Sequence, residues 1–380
     1  MMTNFPAAFA NDRLAGIERA RRAVITEDKP LSQVAPAELQ EREWIAQSWR
    51  RCLERSRSPN QRLAFDMLPD AEARRTLDAN ELLVQAGRPV LEHLSRAIAD
   101  MRYFTILTSA NGVVVDANGP IDRMDRRAHL ITRVGVDLSE GSIGTSAIST
   151  ALKELHPVWL HRGEHFYTDM RYYSCAGAPI FGPDGHCAGM LDVTGIEQPE
   201  RPELMHLVAQ SAQSIENTMV LSRPHALVVR LNWPGRVMGD DADGIVCLDA
   251  NGVVVSANSI ARQMVTQLVP DVGQTQHCSE LFALPYESLF DAARTDGQPI
   301  EAPLWTGLRL HALPLKPGQT RVRRLTRQDS NDTPLALKDV EIALIKSAVE
   351  EARGNVMQAA RKLGISRATV YRKLGLGRQK

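Results

Sequence analysis

One ten-residue pattern occurs twice in this chain of 380 residues, as SANGVVVDAN at 109–118 and as DANGVVVSAN at 249–258. Asn-Gly beside a run of valines is a hairpin signal. The β-branched valines favour strands, while Asn and Gly adopt positive φ at low cost and so fit a type I′ turn whose twist matches the strands. The two copies predict two separate α+β domains, each opened by its hairpin, in a chain long enough for two to four domains at about 100 to 200 residues each.

In the first domain, strands are expected at 103–108, 113–117, 158–161, 175–181 and 187–193, the last two joined by Pro183-Asp184-Gly185, a turn signal. The segment GSIGTSAISTAL between the second and third strands predicts a helix capped by Ser142 or Thr145. A longer amphipathic helix follows at 204–221. Its stripe of Leu204, Val208, Ser211, Ile215 and Met219 is expected to form a dimer seam. The second domain starts as DGIVCLDANGVVVSAN, continues through Ile260 and Met264, and becomes irregular and Pro-rich towards Pro314.

Hydrophobic residues make up 43% and charged residues 24%, a balance suited to packed domains rather than disorder. No apolar run reaches about 18 residues, and the start, MMTNFPAAFANDRLAG, lacks a basic region followed by an apolar one. A cytoplasmic location without a membrane partner is expected. Cys52, Cys175, Cys187, Cys247 and Cys278 are odd in number and form no C-x-x-C pair, which favours free buried thiols. His156, His161, His165 and His186 lack the spacing and acidic partners of a metal site, so structural roles are expected and no cofactor is assigned. Asp137, Glu140 and Asp192 fit caps and turn bonds better than acid-base chemistry, because no nucleophile or metal set accompanies them. The chain does not read as an enzyme.

Charge is distributed unevenly. Residues 321–380 hold 14 Lys and Arg against 6 Asp and Glu, a net of +8 that leaves −8 for the remainder. A basic end on an acidic body suits a polyanion partner. Within it, Leu337, Val340, Leu344, Ile345 and Ala348 recur at helical spacing, and Gly354-Asn355 stops that helix and caps the next. VMQAARKL at 356–363 then ends at Gly364, and Ser366 caps RATVYRKL, in which Val370 and Leu374 share an inward face. Two short helices about a Gly-containing turn, the second rich in Arg and Lys, form the layout that sets a recognition helix in the major groove.

The stretch GNVMQAARKLGISRATVYRKL resembles the Fis-type helix-turn-helix that ends many NtrC-like activators. The resemblance implies Arg367 and Arg372 as base readers and Asn355, Thr369 and Lys373 as phosphate contacts, with Arg361 and Ser366 completing the DNA-binding set. It also implies a homodimer on double-stranded DNA with a two-fold operator, and RNA polymerase as a further partner. Upstream, EGSIGTSAISTAL, GEHF, CAGAPIFGPDG and GMLDVTG resemble the GAF domain of acetoin-catabolism-type (AcoR-like) regulators, and SWRRCLER resembles their helical leader. The second hairpin region looks like the opening of a PAS domain. The implied fold is α+β multidomain: a helical leader at 1–85, a GAF sensor at 86–225, a PAS-like domain at 235–315, a basic linker at 316–335, and an all-α Fis-type helix-turn-helix at 336–380. Regulators of this family usually carry an ATPase domain with a G-x-x-x-x-G-K-[ST] loop, and that loop is missing from these 380 residues.

The 161–175 segment gathers His161, His165, Phe166, Tyr167, Tyr172 and Tyr173 in a chain with only 5% aromatics. A small-ligand pocket and a simple roof over the sheet explain this about equally well. The candidate effector-binding set is Phe104, Thr145, Trp159, His165, Phe166, Tyr172 and Cys175, with Trp159 and Cys175 also readable as core. The expected effector is a ketone, alcohol or aromatic alcohol, since paired cations for a phosphate are lacking. The expected function is a transcription regulator responding to that effector without ATP hydrolysis. An architectural or antagonist DNA binder with a vestigial sensor is the alternative.

Overall fold

A computed structural model describes residues 5–29, 42–268, 275–294, 298–318, 356–357 and 370. The chain divides into two compact units, 1–322 and 323–380. Two leader helices come first, α1 (Phe5–Ile25) and α2 (Glu43–Glu54). Their inward faces follow from helical spacing: Ile17, Ala20 and Val24 on α1, and Ile45, Trp49 and Cys52 on α2, are all buried. Helices α3 (Asp70–Ala79) and α4 (Glu81–Ile98) follow. Helix α4 buries Leu83, Leu91, Leu94 and Ile98, each large side chain contributing about 1.5 to 3 kcal/mol.

The first sheet contains β1 (Tyr103–Ser109), β2 (Val114–Asn118), β3 (Val158–His161), β4 (Tyr173–Phe181) and β5 (Cys187–Ile196), in the order β2-β1-β5-β4-β3. All pairs are antiparallel. Three short helices, α5 (Arg126–Ile131), α6 (Glu140–Ile143) and α7 (Ala147–Glu154), lie between β2 and β3, and α8 (Leu204–Ser222) follows β5. Strand side chains alternate between two cores, as the period of two requires. Phe104, Ile106, Cys175 and Met190 join α5, α6, α7 and the leader on one face. Leu107, Ala176, Leu191 and Val193 join α4 and α8 on the other.

A second antiparallel sheet contains β6 (Leu227–Asn232), β7 (Gly244–Leu248), β8 (Val254–Ala257), β9 (Ile300–Pro303) and β10 (Arg309–Leu315), ordered β8-β7-β6-β10-β9. Helices α9 (Ser259–Met264) and α10 (Glu287–Ala292) lie between β8 and β9. The repeated sequence forms the edge hairpin of each sheet. Its third strand differs: β1 pairs next with β5, whereas β7 pairs next with β6. The sheets meet along α8, where Glu216 accepts from Ser259 N and Asn217 Oδ1 accepts from Asn258 Nδ2 at 2.8 Å.

Several sequence expectations are corrected here. Neither turn is type I′: Gly112 and Gly252 each have φ of 82°, but Asn111 and Asn251 are not among the positive-φ residues. The Gly112 and Gly252 amides donate to the carbonyls of Ser109 and Asp249, making three-residue loops with Gly in the left-handed position. The predicted 141–152 helix is two helices broken at Gly144, and Ser146, rather than Ser142 or Thr145, caps the second. The second sheet opens with β6 rather than its hairpin, and Pro314 pairs with Val229 inside β10. The α8 stripe is not a dimer seam, because Leu204, Val208, Ile215 and Met219 are buried in the chain's own core, with Ala212 completing the stripe instead of Ser211.

Candidate functional site

The segment joining β3 to β4 is built around Glu164, whose side chain is fully buried. Its Oε2 accepts the His161 amide at 2.7 Å, and its Oε1 meets Arg42 at 2.7 Å and Arg13 at 3.1 Å. Both cations come from the leader. Their guanidinium carbons also lie 4.8 Å from the Trp159 ring centroid, a cation-π distance. Arg21 donates to the carbonyls of Gly163, His165 and Phe166, and Trp49 Nε1 donates to the Glu164 carbonyl at 2.9 Å. Arg57 donates to Tyr167 Oη at 2.8 Å. A loop that a sheet alone would leave without partners is therefore tied, carbonyl by carbonyl, to the leader.

This clasp determines where the sequence-predicted residues lie. Phe166 and Phe104 are buried in the core on the leader side of the sheet. Thr145 is buried, its hydroxyl 2.8 Å from Ser48 Oγ. His165 is fully buried; its Nδ1 lies 2.9 Å from the Arg162 carbonyl, and burial pushes its pKa down to about 4. The His161 pKa falls to about 3, through burial first and the nearby arginines second. Tyr172 sits at the surface between Arg127 and Arg171. Asp137 bonds the Ser139 amide and the Ser142 hydroxyl, as expected of a turn carboxylate, and Glu140 pairs with Arg51 and Ser48.

Of the predicted effector set, Cys175 lines a cavity walled by buried residues between the sheet and α5, α6 and α7. Its free volume is about 20 Å³. One ordered water needs about 10 to 15 Å³. Ile106, Ile143, Ile148 and Met170 form apolar walls, and Tyr173, Thr194 and Asp192 supply polar atoms. Gly177 faces Asp192 across the β4–β5 pair, where a Cβ would meet Met190 Cε at 2.5 Å and Ala147 O at 3.4 Å. The missing side chain lets the start of α7 sit close to the sheet.

Asp192 is neither a cap nor a turn residue, which corrects the sequence expectation. It lies mid-strand, paired with Ile106 and Gly177, and is fully buried. Thr194 Oγ1 contacts its Oδ2 and lies 3.2 Å from Cys175 Sγ, while Oδ1 has no hydrogen-bond partner. Burial pushes the carboxyl up to about 7, with the Thr194 bond only partly opposing it. No cation is among the described residues that line the cavity. An acid in GMLDVTG, a run otherwise apolar or small, was the available sequence signal. The leader residues Arg13, Arg21, Arg42 and Trp49 gave none, since their partners lie more than a hundred positions away. No group of three or more potential metal ligands occurs among the described residues. No described helix is long and apolar enough to cross a membrane.

The DNA-contact set Asn355, Arg361, Ser366, Arg367, Thr369, Arg372 and Lys373 lies outside the described residues. Nearby, Val356 and Met357 are helical, Val370 is helical and buried, and Met357 is exposed.

Residues 33–217 match the family described as MimR, N-terminal domain, and residues 336–375 match the bacterial regulatory protein, Fis family. The acetoin catabolism regulatory protein of Cupriavidus necator is 28% identical over 259 residues, covering 66% of this chain and 38% of that protein. The acetoin dehydrogenase operon transcriptional activator AcoR of Bacillus subtilis is 26% identical over 240 residues, covering 63% of this chain and 39% of that one. The propane 2-monooxygenase operon transcriptional activator MimR of Mycolicibacterium goodii is 28% identical over 179 residues, covering 46% and 29%. The chain thus spans about two fifths or less of the length of these relatives. The crystal structure of the E. coli DhaR(N)-DhaL complex includes a chain that is 16% identical with a TM-score of 0.44, covering 72% of this chain and 99% of that one. Residues 33–217 thus match a MimR-type N-terminal domain and residues 336–375 a Fis-family helix-turn-helix, which makes the chain similar to AcoR-like regulators.

Proposed function

We propose that this chain is a DNA-binding transcription regulator whose N-terminal sheet is a GAF-type sensor for a small organic effector, the second sheet being a PAS-like domain. The observation that carries this reading is the joining, in one chain, of a MimR-type N-terminal segment to a Fis-family helix-turn-helix. Arg367 and Arg372 read base edges, because a guanidinium can donate two bonds to guanine, and Asn355, Thr369 and Lys373 hold phosphates. The protein acts as a homodimer on a two-fold site and works by recruitment or occlusion, since these residues include no phosphate-cradling loop. Relatives named for acetoin catabolism and for a propane 2-monooxygenase operon support a small, neutral effector.

Footprinting of the purified full chain on genomic fragments tests the reading. A protected two-fold site, whose occupancy changes when a small ketone or alcohol is added, is the expected result. Equal affinity for all fragments, unchanged by any compound, would overturn it. ATP hydrolysis that is abolished by a point substitution in this chain would contradict the motor-independent mode.

A further inference from the structure

The cavity beside Cys175 has one polar atom that its own surroundings leave unsatisfied. Asp192 Oδ1 is buried and without a partner, whereas most buried polar atoms in folded proteins are bonded. Leaving such a group unpaired keeps the full cost of removing it from water. The position offers no local remedy. Asp192 sits in the middle of β5 with Ile106 and Gly177 as register partners, and Thr194 Oγ1, its one side-chain contact, lies against Oδ2. Among the described residues, the cavity walls carry no Arg, Lys or His that would hold a carboxylate.

We infer that Asp192 is the hydrogen-bonding anchor for the effector, and that the cavity selects small neutral molecules bearing a hydroxyl or a carbonyl. This rests on the sensor reading proposed above. The chemistry follows from what the site lacks. A carboxylate effector would meet the ionised Asp192 as a like charge with no cation between them, a phosphate would be worse, and an ammonium would have to shed its water among apolar walls for a single carboxylate. A pure hydrocarbon would fit the walls and leave Oδ1 as it is. A neutral hydroxyl can donate to Oδ1, and a carbonyl can accept from the protonated acid, so either removes the cost of the orphaned atom. Size is restricted too. About 20 Å³ is far less than a four-carbon molecule needs, so binding must push α6 and α7 outward from the sheet. Gly144 marks the break between those helices, with φ of 65° and Phe166 Cβ 3.1 Å from where its own Cβ would stand. An occupant is thereby felt at Phe166, whose carbonyl Arg21 of the leader holds. A bound molecule in the sheet thus has a short route to the leader.

Thermal melting of the full chain with a size-matched set of butanone, butanol, butanediol, butyrate and butylamine tests this, using wild type, Asp192→Asn and Asp192→Leu. Wild type should be stabilised by at least one neutral member and by neither ion. Asp192→Leu, which keeps an apolar wall, should lose at least tenfold in affinity for that compound while retaining a cooperative transition. Asp192→Asn, which keeps both a donor and an acceptor, should retain part of it. Undiminished stabilisation of Asp192→Leu would overturn the anchor and leave the sensor reading standing. Preference for butyrate or butylamine would overturn the neutral class. If no compound shifts wild type at all, and the footprint is equally indifferent to them, the sensor reading falls and the anchor falls with it.

Discussion

Asp192 makes stability depend on pH in a direction opposite to the usual surface carboxylate, and the effect can be sized. A carboxyl raised from 3.8 to about 7 in the folded chain binds its proton more tightly there than in the unfolded chain. Its contribution is therefore fully present below the unfolded value and is lost as pH rises through about 7. At 1.36 kcal/mol per pH unit the whole effect is about 4 kcal/mol, of which about 3 kcal/mol is lost between pH 5 and pH 8. For a domain of this size that is roughly 6 to 12 °C in Tm. Two histidines run the other way. His161 and His165 are depressed to about 3 and about 4, so their contribution is present above 6.5 and is lost as pH falls. The wild-type profile alone would blend these opposing slopes. Measuring Tm from pH 5 to pH 8 for wild type and for Asp192→Asn removes the histidines from the comparison, because both proteins share them. The difference should move by several degrees in favour of the variant as pH rises. Parallel curves would refute the assignment of an unpaired, proton-binding carboxyl at the heart of the sheet.

Three further outcomes are expected. Arg367→Ala and Arg372→Ala should each cost about 1 to 3 kcal/mol on cognate DNA and little on random DNA, whereas Lys373→Ala should weaken both alike in titrations at several salt concentrations. Gly189→Ala should destabilise more than Gly177→Ala in denaturant melts. A Cβ at 189 meets the Thr108 carbonyl at 2.2 Å, a backbone atom held by β1, whereas the Cβ at 177 meets the movable Met190 Cε at 2.5 Å. Trp49→Ala should cost about 3 to 5 kcal/mol, and protease cleavage within 161–170 should accelerate because the Glu164 carbonyl loses its donor.

Much of the first sheet was legible because its strands alternate or run apolar between strong turn residues. The five predicted strands fall within a residue or two of the observed ones at most ends. Strand β6 was not legible. ALVVRLN follows a long helix after only Arg223, Pro224 and His225, and a continuous apolar run carries no period to separate strand from helix. The turn type was misjudged because Asn-Gly suits both a two-residue loop and the end of a three-residue one, and only the register decides between them. At the candidate site, sequence pointed to the aromatic loop; Phe166, Tyr167 and Tyr173 of that loop pack in the core on the leader side, and Tyr173 also lines the cavity with Cys175. Aromatics signal apolar surface to be covered without saying what covers it. Asp192 was discounted as a lone carboxyl, yet isolation in an apolar strand is what makes it chemically distinctive.

The clasp between the leader and the β3–β4 segment also bears on how sensors of this kind can be exchanged between proteins. Trp49, Cys52, Ile17 and Val24 belong to the same buried cluster as Phe104, Ile143 and Phe166, so no cut between leader and sheet passes through solvent. A chimera joined near residue 86 would strip Glu164 of both its guanidiniums and leave three loop carbonyls without Arg21. The inheritable module is the sheet together with its first sixty residues, and a recombination that separates them yields a protein with half a core.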